Sequence, residues 1–288
     1  MALKIPASLT ETCSEEPARA AWLERLPETI RALEARWSLT LADPFQGPDV
    51  TAAWVAPATR ADGTPAVLKL GMPHTEGEHE IHGLRFWDGG PTVRLLEADE
   101  DLGAMLLERC VPGATLRSVP EPEQDGIIAG LLRRMWRSPE APHPFRPLSA
   151  MTASWAAETR AVEARWSDAG LVSEGLRLFE ELPRTAPEEA LLATDLHAGN
   201  VLRAEREPWL VIDPKPFVGD PAYDATQHLL NCLDRLRADP QATVRGFAES
   251  LGLDHRRVRM WTFARIAAES RFACREGWPQ ALARSLAP

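Results

Sequence analysis

The feature that most constrains this chain is a change of hydrophobic period near Pro112 and Gly113. Before that point, short apolar runs separated by turn residues dominate, whereas amphipathic helical patterns dominate after it. Strands and helices repeat with different periods, so a segment patterned for one form does not readily adopt the other. The sequence therefore predicts an α+β chain, with a small sheet-rich lobe over residues 1–111 and a larger, mainly helical lobe over residues 112–288.

The predicted sheet-rich lobe begins with a helix and continues as strands. Apolar side chains at helical spacing predict a leading helix over residues 15–37; they are Trp22, Leu23, Leu26, Ile30 and Leu33. Four strand-like runs follow within residues 50–111, and the Asp62 and Gly63 between the first two favour a tight hairpin turn. The small lobe is thus expected to be an antiparallel sheet.

One key helix is expected between the second and third of these runs. Thr75 and Glu78 have the spacing of a capping box, in which two side chains satisfy backbone N–H groups at a helix start. Gly89, Gly90 and Pro91 then supply a stop signal.

The larger lobe is expected to consist mainly of helices. Amphipathic patterns predict helices within residues 125–138, 151–166, 171–183, 222–236 and 255–277. Three short apolar runs between residues 190 and 213 predict strands, so the polar stretch TDLHAGN lies between two of them.

Composition and charge exclude several classes of protein. No apolar run approaches the roughly 18 residues of a membrane span, and the N-terminus lacks a signal core, so a cytoplasmic protein without a membrane partner is expected. Four cysteines without a CxxC pair indicate neither a zinc site nor a disulfide framework. A net charge of -10 argues against nucleic acid and suits a cationic small molecule, although many soluble proteins are equally acidic. We expect a monomer.

The chain uses very little lysine. Of its 32 Lys and Arg residues only three are lysine, among them Lys69 and Lys215, which leaves 32 minus 3, or 29, arginines. Lys69 lies in the strand-like run PAVLKL, where a buried ammonium group needs a carboxylate partner. Glu80, in the helix that follows, is the expected partner, although Glu76 and Glu78 lie close to it in sequence.

Polar residues stand at the ends of the predicted strands of the larger lobe. Asp195 and Asn200 flank the loop that joins two strands, and Asp213 follows the apolar run WLVI directly. A carboxylate in such a position is costly to bury unless it is paired or binds a cation. Asn200 and Asp213 offer the neutral and anionic oxygen ligands that suit Mg²⁺.

These residues together resemble the pattern of the protein-kinase-like fold. That pattern combines a strand lysine in an A-V-x-K context, a helix glutamate, a D-x-x-x-x-N loop and an aspartate at the end of the next strand. Within the fold, TDLHAGN, LLERCVPGATL and VIDPKPFVGDPAYD resemble the aminoglycoside phosphotransferases, closest to the branch of streptomycin 6-phosphotransferases and hydroxyurea-type resistance kinases. The resemblance runs from about Trp54 to Tyr223.

The resemblance implies an ATP-dependent, Mg²⁺-requiring kinase of a small hydroxylated molecule, with streptomycin or a related aminoglycoside favoured. It implies that Asp195 accepts or orients the proton of the acceptor hydroxyl, and that Asn200 and Asp213 hold Mg²⁺. Lys69 would contact the α and β phosphates, and Glu80 would hold Lys69 in place.

The same resemblance places the adenine against the backbone of residues 108–111, beginning at Glu108 and including Cys110. Lys215 would reach the transferred phosphate; a plain surface salt bridge is the alternative. Two departures from the family pattern stand out. No G-x-G-x-x-G precedes Lys69, and Ala193 occupies the position two residues before Asp195 where relatives often carry a loop-bracing histidine.

The acceptor site and two other functions stay open at this level. Candidate carboxylates for recognising a guanidinium-bearing acceptor are Asp220, Asp224, Glu158, Glu269 and Glu276. Trp155 and Trp278 are candidates for stacking on a guanidinium group, with core packing as the alternative. Hydroxyurea, which is neutral, would need none of them. A pseudokinase that binds nucleotide without catalysis, or a metallophosphoesterase suggested by DLH and GDPAYD, are the competing functions.

Overall fold

The computed structural model describes residues 3–14, 16–47, 52–73, 77–272 and 280–288. The chain divides into two compact units. The first consists of Met1–Gly113 together with Arg203–Leu210, and the second of Ala114–Leu202 and Val211–Pro288. The return of Arg203–Leu210 to the first unit is not visible in the sequence.

The first unit is built on a five-stranded antiparallel sheet in the order β1-β2-β3-β5-β4. Its strands are β1 (Leu39–Leu41), β2 (Ala53–Arg60), β3 (Pro65–Gly71), β4 (Leu95–Asp99) and β5 (Ala104–Glu108). The predicted hairpin is confirmed: β2 and β3 pair across a turn in which Gly63 has φ +84°, a conformation that glycine adopts without strain. The short strand β1 was not predicted.

Two helices, α1 (Ala7–Cys13) and α2 (Pro17–Trp37), pack against one face of this sheet. Side chains alternate between the two faces along a strand, so Ala66, Leu68 and Leu70 of β3 lie on the helix-covered face and are fully buried. Lys69 therefore points to the opposite face. The predicted α2 is confirmed. Four of the five expected apolar side chains are buried, namely Trp22, Leu26, Ile30 and Leu33, and Leu23 is partly buried.

The third helix of the first unit, α3 (Glu80–Trp87), begins later than the sequence predicts. The proposed capping residue Thr75 lies outside the described residues. Glu78 precedes the helix, and His79 occupies the N-cap position without a side-chain cap hydrogen bond. The capping-box prediction is therefore wrong about where the helix starts, while the predicted stop is confirmed at Asp88 and Gly89, which both have positive φ.

The second unit is mainly helical. Its helices are α4 (Glu121–Met135), α5 (Leu148–Ala161), α6 (Ala169–Glu181), α7 (Pro221–Asn231), α8 (Leu233–Ala238), α9 (Pro240–Leu251), α10 (His255–Ala268) and α11 (Gln280–Leu286). All five predicted helical segments contain a helix, but the fourth divides into α7 and α8. At the centre of the unit, Phe179, Tyr223 and Trp261 pack edge-on or tilted, with ring centroids 5.2–6.4 Å apart.

Four short strands position the polar loops of the second half of the chain. Strand β6 (Ala190–Leu192) pairs antiparallel with β9 (Phe217–Gly219), and β7 (Val201–Arg203) pairs with β8 (Trp209–Val211). The 193–200 loop follows β6, and the 212–216 loop follows β8. No helix in the described ranges is long and apolar enough to cross a membrane.

Candidate active site

In the first unit, Lys69 and Glu80 form a buried ion pair. Lys69 lies at the middle of the sheet, opposite Val55 of β2 and Met105 of β5. Its Nζ lies 2.6 Å from Glu80 Oε1 and 2.7 Å from Oε2, and the two side chains are only 8% and 5% exposed. The carboxylate that the sequence assigned to Lys69 is thus its partner. Such a pair adds little stability over apolar side chains, so its value lies in holding an ammonium group in one place.

At the end of β5, the Glu108 side chain is bound by other groups of the protein, and the Cys110 thiol is partly buried. Glu108 accepts from the Arg206 guanidinium at 2.8–3.2 Å and from the Arg94 backbone N–H at 3.0 Å. Burial raises the pKa of Glu108, but these donors outweigh it and hold the pKa below its ordinary value. Burial raises the pKa of the Cys110 thiol to about 11, so it is neutral near pH 7. The predicted adenine contact therefore depends on the backbone of residues 108–111 and not on the Glu108 carboxylate.

Arg206 is the residue of this region that sequence reasoning missed. Its Nη1 donates to the Gly89 carbonyl at 2.7 Å and its Nη2 to the Thr92 carbonyl at 2.9 Å, in addition to the bonds to Glu108. One guanidinium therefore fixes Arg203–Leu210 to the turn after α3 and to the end of β5. With 29 arginines in the chain, no local signal singles it out.

In the second unit, the 193–200 loop carries Asp195 and Asn200. Asn200 Nδ2 donates to the Asp195 carbonyl at 3.0 Å, which leaves the amide oxygen of Asn200 as the atom suited to a cation. His197 Nδ1 accepts from the Gly199 N–H at 3.0 Å, so His197 braces the loop. Gln227 Nε2 donates to Asp195 Oδ1 at 2.7 Å, a contact that the sequence did not predict.

The structure brings Asn200 and Asp213 onto neighbouring segments. Ile212 N–H donates to the Asn200 carbonyl at 2.9 Å, which aligns the residue before Asp213 with Asn200. Asp213 has φ +52° and forms an ion pair with Lys215, whose side chain is 10% exposed. An anionic and a neutral oxygen ligand held next to each other fit Mg²⁺, which needs few protein ligands.

Asp224 of α7 braces the 193–200 loop. Its carboxylate accepts from the backbone N–H groups of Ala193 and Thr194 at 3.0 and 2.7 Å and from Trp136 Nε1 at 2.9 Å. Burial raises the pKa of Asp224 to about 6, even though these three donors favour the charged form. Asp224 is therefore a structural carboxylate and does not face an acceptor, and the brace does not depend on a histidine at position 193.

Thr194 joins the two polar loops and carries backbone strain. It has φ +51°, a left-handed conformation that a β-branched residue rarely adopts. Its Oγ1 donates to the Lys215 carbonyl at 2.6 Å, while the Lys215 N–H donates to the Ala193 carbonyl at 2.8 Å. These bonds overdetermine the conformation of the residue that precedes Asp195. Retained strain of this kind is typical of functional sites.

Other expected acceptor carboxylates are also engaged within the second unit. Asp220 is buried and accepts from Arg257 Nε and Trp261 Nε1, both at 2.5 Å. Glu158 lies 3.7 Å from Arg271, and Glu269 pairs with arginines as well. The expectation that Asp220 and Asp224 face the acceptor is therefore wrong, because both satisfy buried donors.

Trp155, an aromatic residue expected near the acceptor, is likewise engaged by other side chains of the protein. Trp155 stacks on Phe179 with centroids 6.2 Å apart, and the guanidinium carbons of Arg265 and Arg271 lie 4.3 and 3.9 Å from its ring centroid. Its ring contacts belong to the protein, in agreement with a packing role. Glu276 and Trp278 lie outside the described residues.

A family model for aminoglycoside/hydroxyurea antibiotic resistance kinases matches residues 36–277. The chain belongs to this family. It is 39% identical over 267 residues to a streptomycin 6-kinase of Streptomyces glaucescens, covering 89% of this chain and 86% of that protein. It is 36% identical over 283 residues to a hydroxyurea phosphotransferase of Kitasatospora aureofaciens, covering 96% and 82%, respectively.

The fold of this resistance kinase is shared with other small-molecule kinases. A choline kinase from Streptococcus pneumoniae has a TM-score of 0.60 at 13% identity, covering 91% of this chain and 97% of that one. The predicted protein-kinase-like α+β fold and the predicted family are thereby confirmed. The chain is a small-molecule kinase, and the metallophosphoesterase alternative does not apply.

Proposed function

We propose that this resistance kinase transfers the γ-phosphoryl group of ATP to a hydroxyl of streptomycin or a closely related aminoglycoside. The observation that supports the proposal is the pair of braced loops that carry Asp195, Asn200 and Asp213, the three residues that match the kinase motif in sequence. The choice of acceptor is supported by the similarity to streptomycin 6-kinases over most of the chain.

Asp195 is the proposed catalytic residue. Its carboxylate accepts or orients the proton of the acceptor hydroxyl as that oxygen attacks phosphorus. A hydroxyl group is a weak nucleophile, so the carboxylate contributes by orienting it and by taking the proton as the new bond forms. The half-buried position of Asp195 is consistent with a carboxylate that contacts a substrate.

Asn200 and Asp213 are the proposed ligands of Mg²⁺. When bound, the ion neutralises charge on the phosphate oxygens. Lys215, paired with Asp213, is proposed to contact the transferred phosphoryl group. Because Lys215 is buried, the alternative of a plain surface salt bridge does not describe its environment.

The nucleotide-contacting residues of the first unit form the other part of the proposal. Lys69, held by Glu80, contacts the α and β phosphates, and the backbone from Glu108 through Cys110 to residue 111 receives the adenine. We further propose that residues 1–111 bind nucleotide and that residues 112–288 bind the acceptor. A cytoplasmic monomer remains our expectation.

A phosphate-transfer screen tests the proposal. Purified protein, ATP and Mg²⁺ are incubated with streptomycin, a second aminoglycoside or hydroxyurea, and the phosphorylated product is identified by mass spectrometry. Hydroxyurea is the second candidate acceptor, because a hydroxyurea phosphotransferase is also a close relative. Transfer to streptomycin is expected; transfer to hydroxyurea alone would overturn the acceptor assignment but leave the kinase assignment intact.

Asp195→Ala separates a kinase from a nucleotide-binding pseudokinase. This variant is expected to lose about 10²- to 10⁴-fold in kcat while ATP affinity stays unchanged, because the residue acts on the acceptor hydroxyl. Glu188→Ala, at an exposed position without an assigned role, is the matched control. A variant that retains full turnover would contradict the role of Asp195.

A further inference from the structure

The Asp195 carboxylate has a side-chain donor that the kinase motif does not contain. Gln227 Nε2 donates to Asp195 Oδ1 over 2.7 Å, and both residues are half-buried. An ionised carboxylate has only acceptor atoms, so the Gln227 amide must present its NH₂ group to it. We propose that Gln227 is a positioning residue, which holds the Asp195 carboxylate in the orientation required at the acceptor hydroxyl. This inference rests on the proposed function of Asp195.

The placement of Gln227 follows from helical spacing. Asp224 and Gln227 are three residues apart in α7, so their side chains lie on the same side of the helix. Asp224 accepts from the backbone N–H groups of Ala193 and Thr194, and Gln227 donates to the side chain of the next residue. One side of α7 therefore fixes both the backbone of the 193–200 loop and the Asp195 carboxylate.

Helix α7 is itself held at two places, which makes it a rigid support. At its N-terminus, Asp220 caps the Ala222 N–H at 3.0 Å and accepts from Arg257 and Trp261. One residue after Gln227, the fully buried His228 lies 2.7 Å from Asp125 of α4. A group placed on a fixed helix can preorganise a substrate-contacting side chain more accurately than a loop residue can.

Two nearly isosteric substitutions test the proposal. Gln227→Met keeps the length of the side chain but removes the hydrogen-bond donor. A misplacement of about 1 Å at a reacting group can lower the reaction rate about 100-fold. We expect kcat to fall about 10- to 100-fold, with the KM for ATP changing less than about two-fold. Gln227→Glu places a second carboxylate against Asp195, so its kcat at pH 8 is expected to fall at least as far.

Gln241→Met is the matched control. Gln241 also lies in the second unit, and its Nε2 donates to the Ser285 carbonyl at the same distance of 2.7 Å. The control thus removes a hydrogen bond of the same length, at an exposed position that touches neither polar loop. Its kcat and KM are expected to equal those of the wild type. Thermal unfolding of all four proteins is measured beside the kinetics.

The result is read from the kcat ratio of variant to wild type. A loss of kcat in Gln227→Met, without matching losses in Tm or ATP affinity, supports the positioning role. An unchanged kcat, or equal losses of kcat, Tm and ATP affinity, overturns it. The wild-type screen tests the acceptor assignment separately. If streptomycin is not phosphorylated, the kcat ratio is measured with whichever acceptor is phosphorylated. If no acceptor is phosphorylated, the ratio is measured for ATP hydrolysis.

Discussion

At the scale of single residues, the Lys69 and Glu80 pair shows how a buried charge depends on its partner. Both side chains are more than nine-tenths buried, so removing one leaves the other unpaired in a poorly solvated place. Lys69→Met is expected to lower the free energy of unfolding by about 3–5 kcal/mol. Lys69→Met combined with Glu80→Leu should recover most of that loss, because apolar side chains replace the whole pair.

Urea unfolding of the two variants checks this expectation, with the KM for ATP measured in parallel. Both variants should bind ATP poorly, since neither retains the ammonium group. Equal stability of the single and double variants would contradict the pairing argument.

The hydroxyl of Thr194 provides a second test at this scale. Thr194→Val keeps the shape and the strained backbone but leaves the Lys215 carbonyl without its donor. It is expected to cost about 1–3 kcal/mol of stability and to lower kcat, because the loop before Asp195 loses its tie to Lys215. Thr194→Ser retains the hydroxyl and serves as control. Identical urea midpoints for the two variants would contradict this role.

At the scale of elements, α7 carries a carboxylate whose protonation is linked to stability. The pKa of Asp224 is raised from 3.8 to about 6, so its stabilising contribution is present below about pH 4 and is lost as the pH rises through about 6. This shift in pKa corresponds to a change of about 3 kcal/mol in the free energy of unfolding. Asp224→Asn cannot titrate, so this dependence should be missing from the variant.

The measurement is the difference in unfolding free energy between wild type and Asp224→Asn at pH 4, 5, 6 and 7. Hydrogen-bond donors lower the pKa values of other carboxylates, such as Glu108 and Asp125, despite their burial. These groups titrate in both proteins, so taking the difference cancels their contribution to the pH dependence. The wild type should lose its advantage over the variant as the pH rises. A constant difference would show that Asp224 does not titrate in this range.

Arg206 tests how Arg203–Leu210 is fixed to the first unit. Arg206→Lys keeps the charge but cannot contact Glu108 and the carbonyls of Gly89 and Thr92 together. We expect the free energy of unfolding to fall by about 2 kcal/mol and proteolysis within Arg203–Leu210 to be faster. Arg177→Lys, which alters an exposed pair on α6, should change neither. Wild-type proteolysis rates in Arg206→Lys would argue against the anchor.

At the scale of the whole molecule, net charge distinguishes the two acceptors. A chain with a net charge of -10 attracts a cationic aminoglycoside over a distance that salt shortens. Raising NaCl from 20 to 300 mM is expected to increase the KM for streptomycin several-fold, roughly in line with screening. The KM for neutral hydroxyurea should change little. Equal salt dependence for both would mean that charge does not guide acceptor binding.

Local sequence signals predicted much of the fold and most of the candidate site. Hydrophobic period located the strands around Lys69 and the helix α2, since those patterns depend on near neighbours. Motif spacing predicted Asp195, Asn200 and Asp213 as site residues, and they lie on the loops that follow β6 and β8. The start of α3 was misplaced, because a capping signal was read in a segment that precedes the helix.

The sequence by itself determined the strand-rich and helix-rich segments and the chemical groups proposed for phosphoryl transfer. Only the tertiary structure decided which carboxylates are structural: Asp220 and Asp224 satisfy buried donors, while Asp195 receives the Gln227 amide. It also decided that Arg206 anchors a returning segment. Periodicity and motif spacing are local properties, whereas burial and pairing join residues tens of positions apart and exist only once the helices and loops have packed.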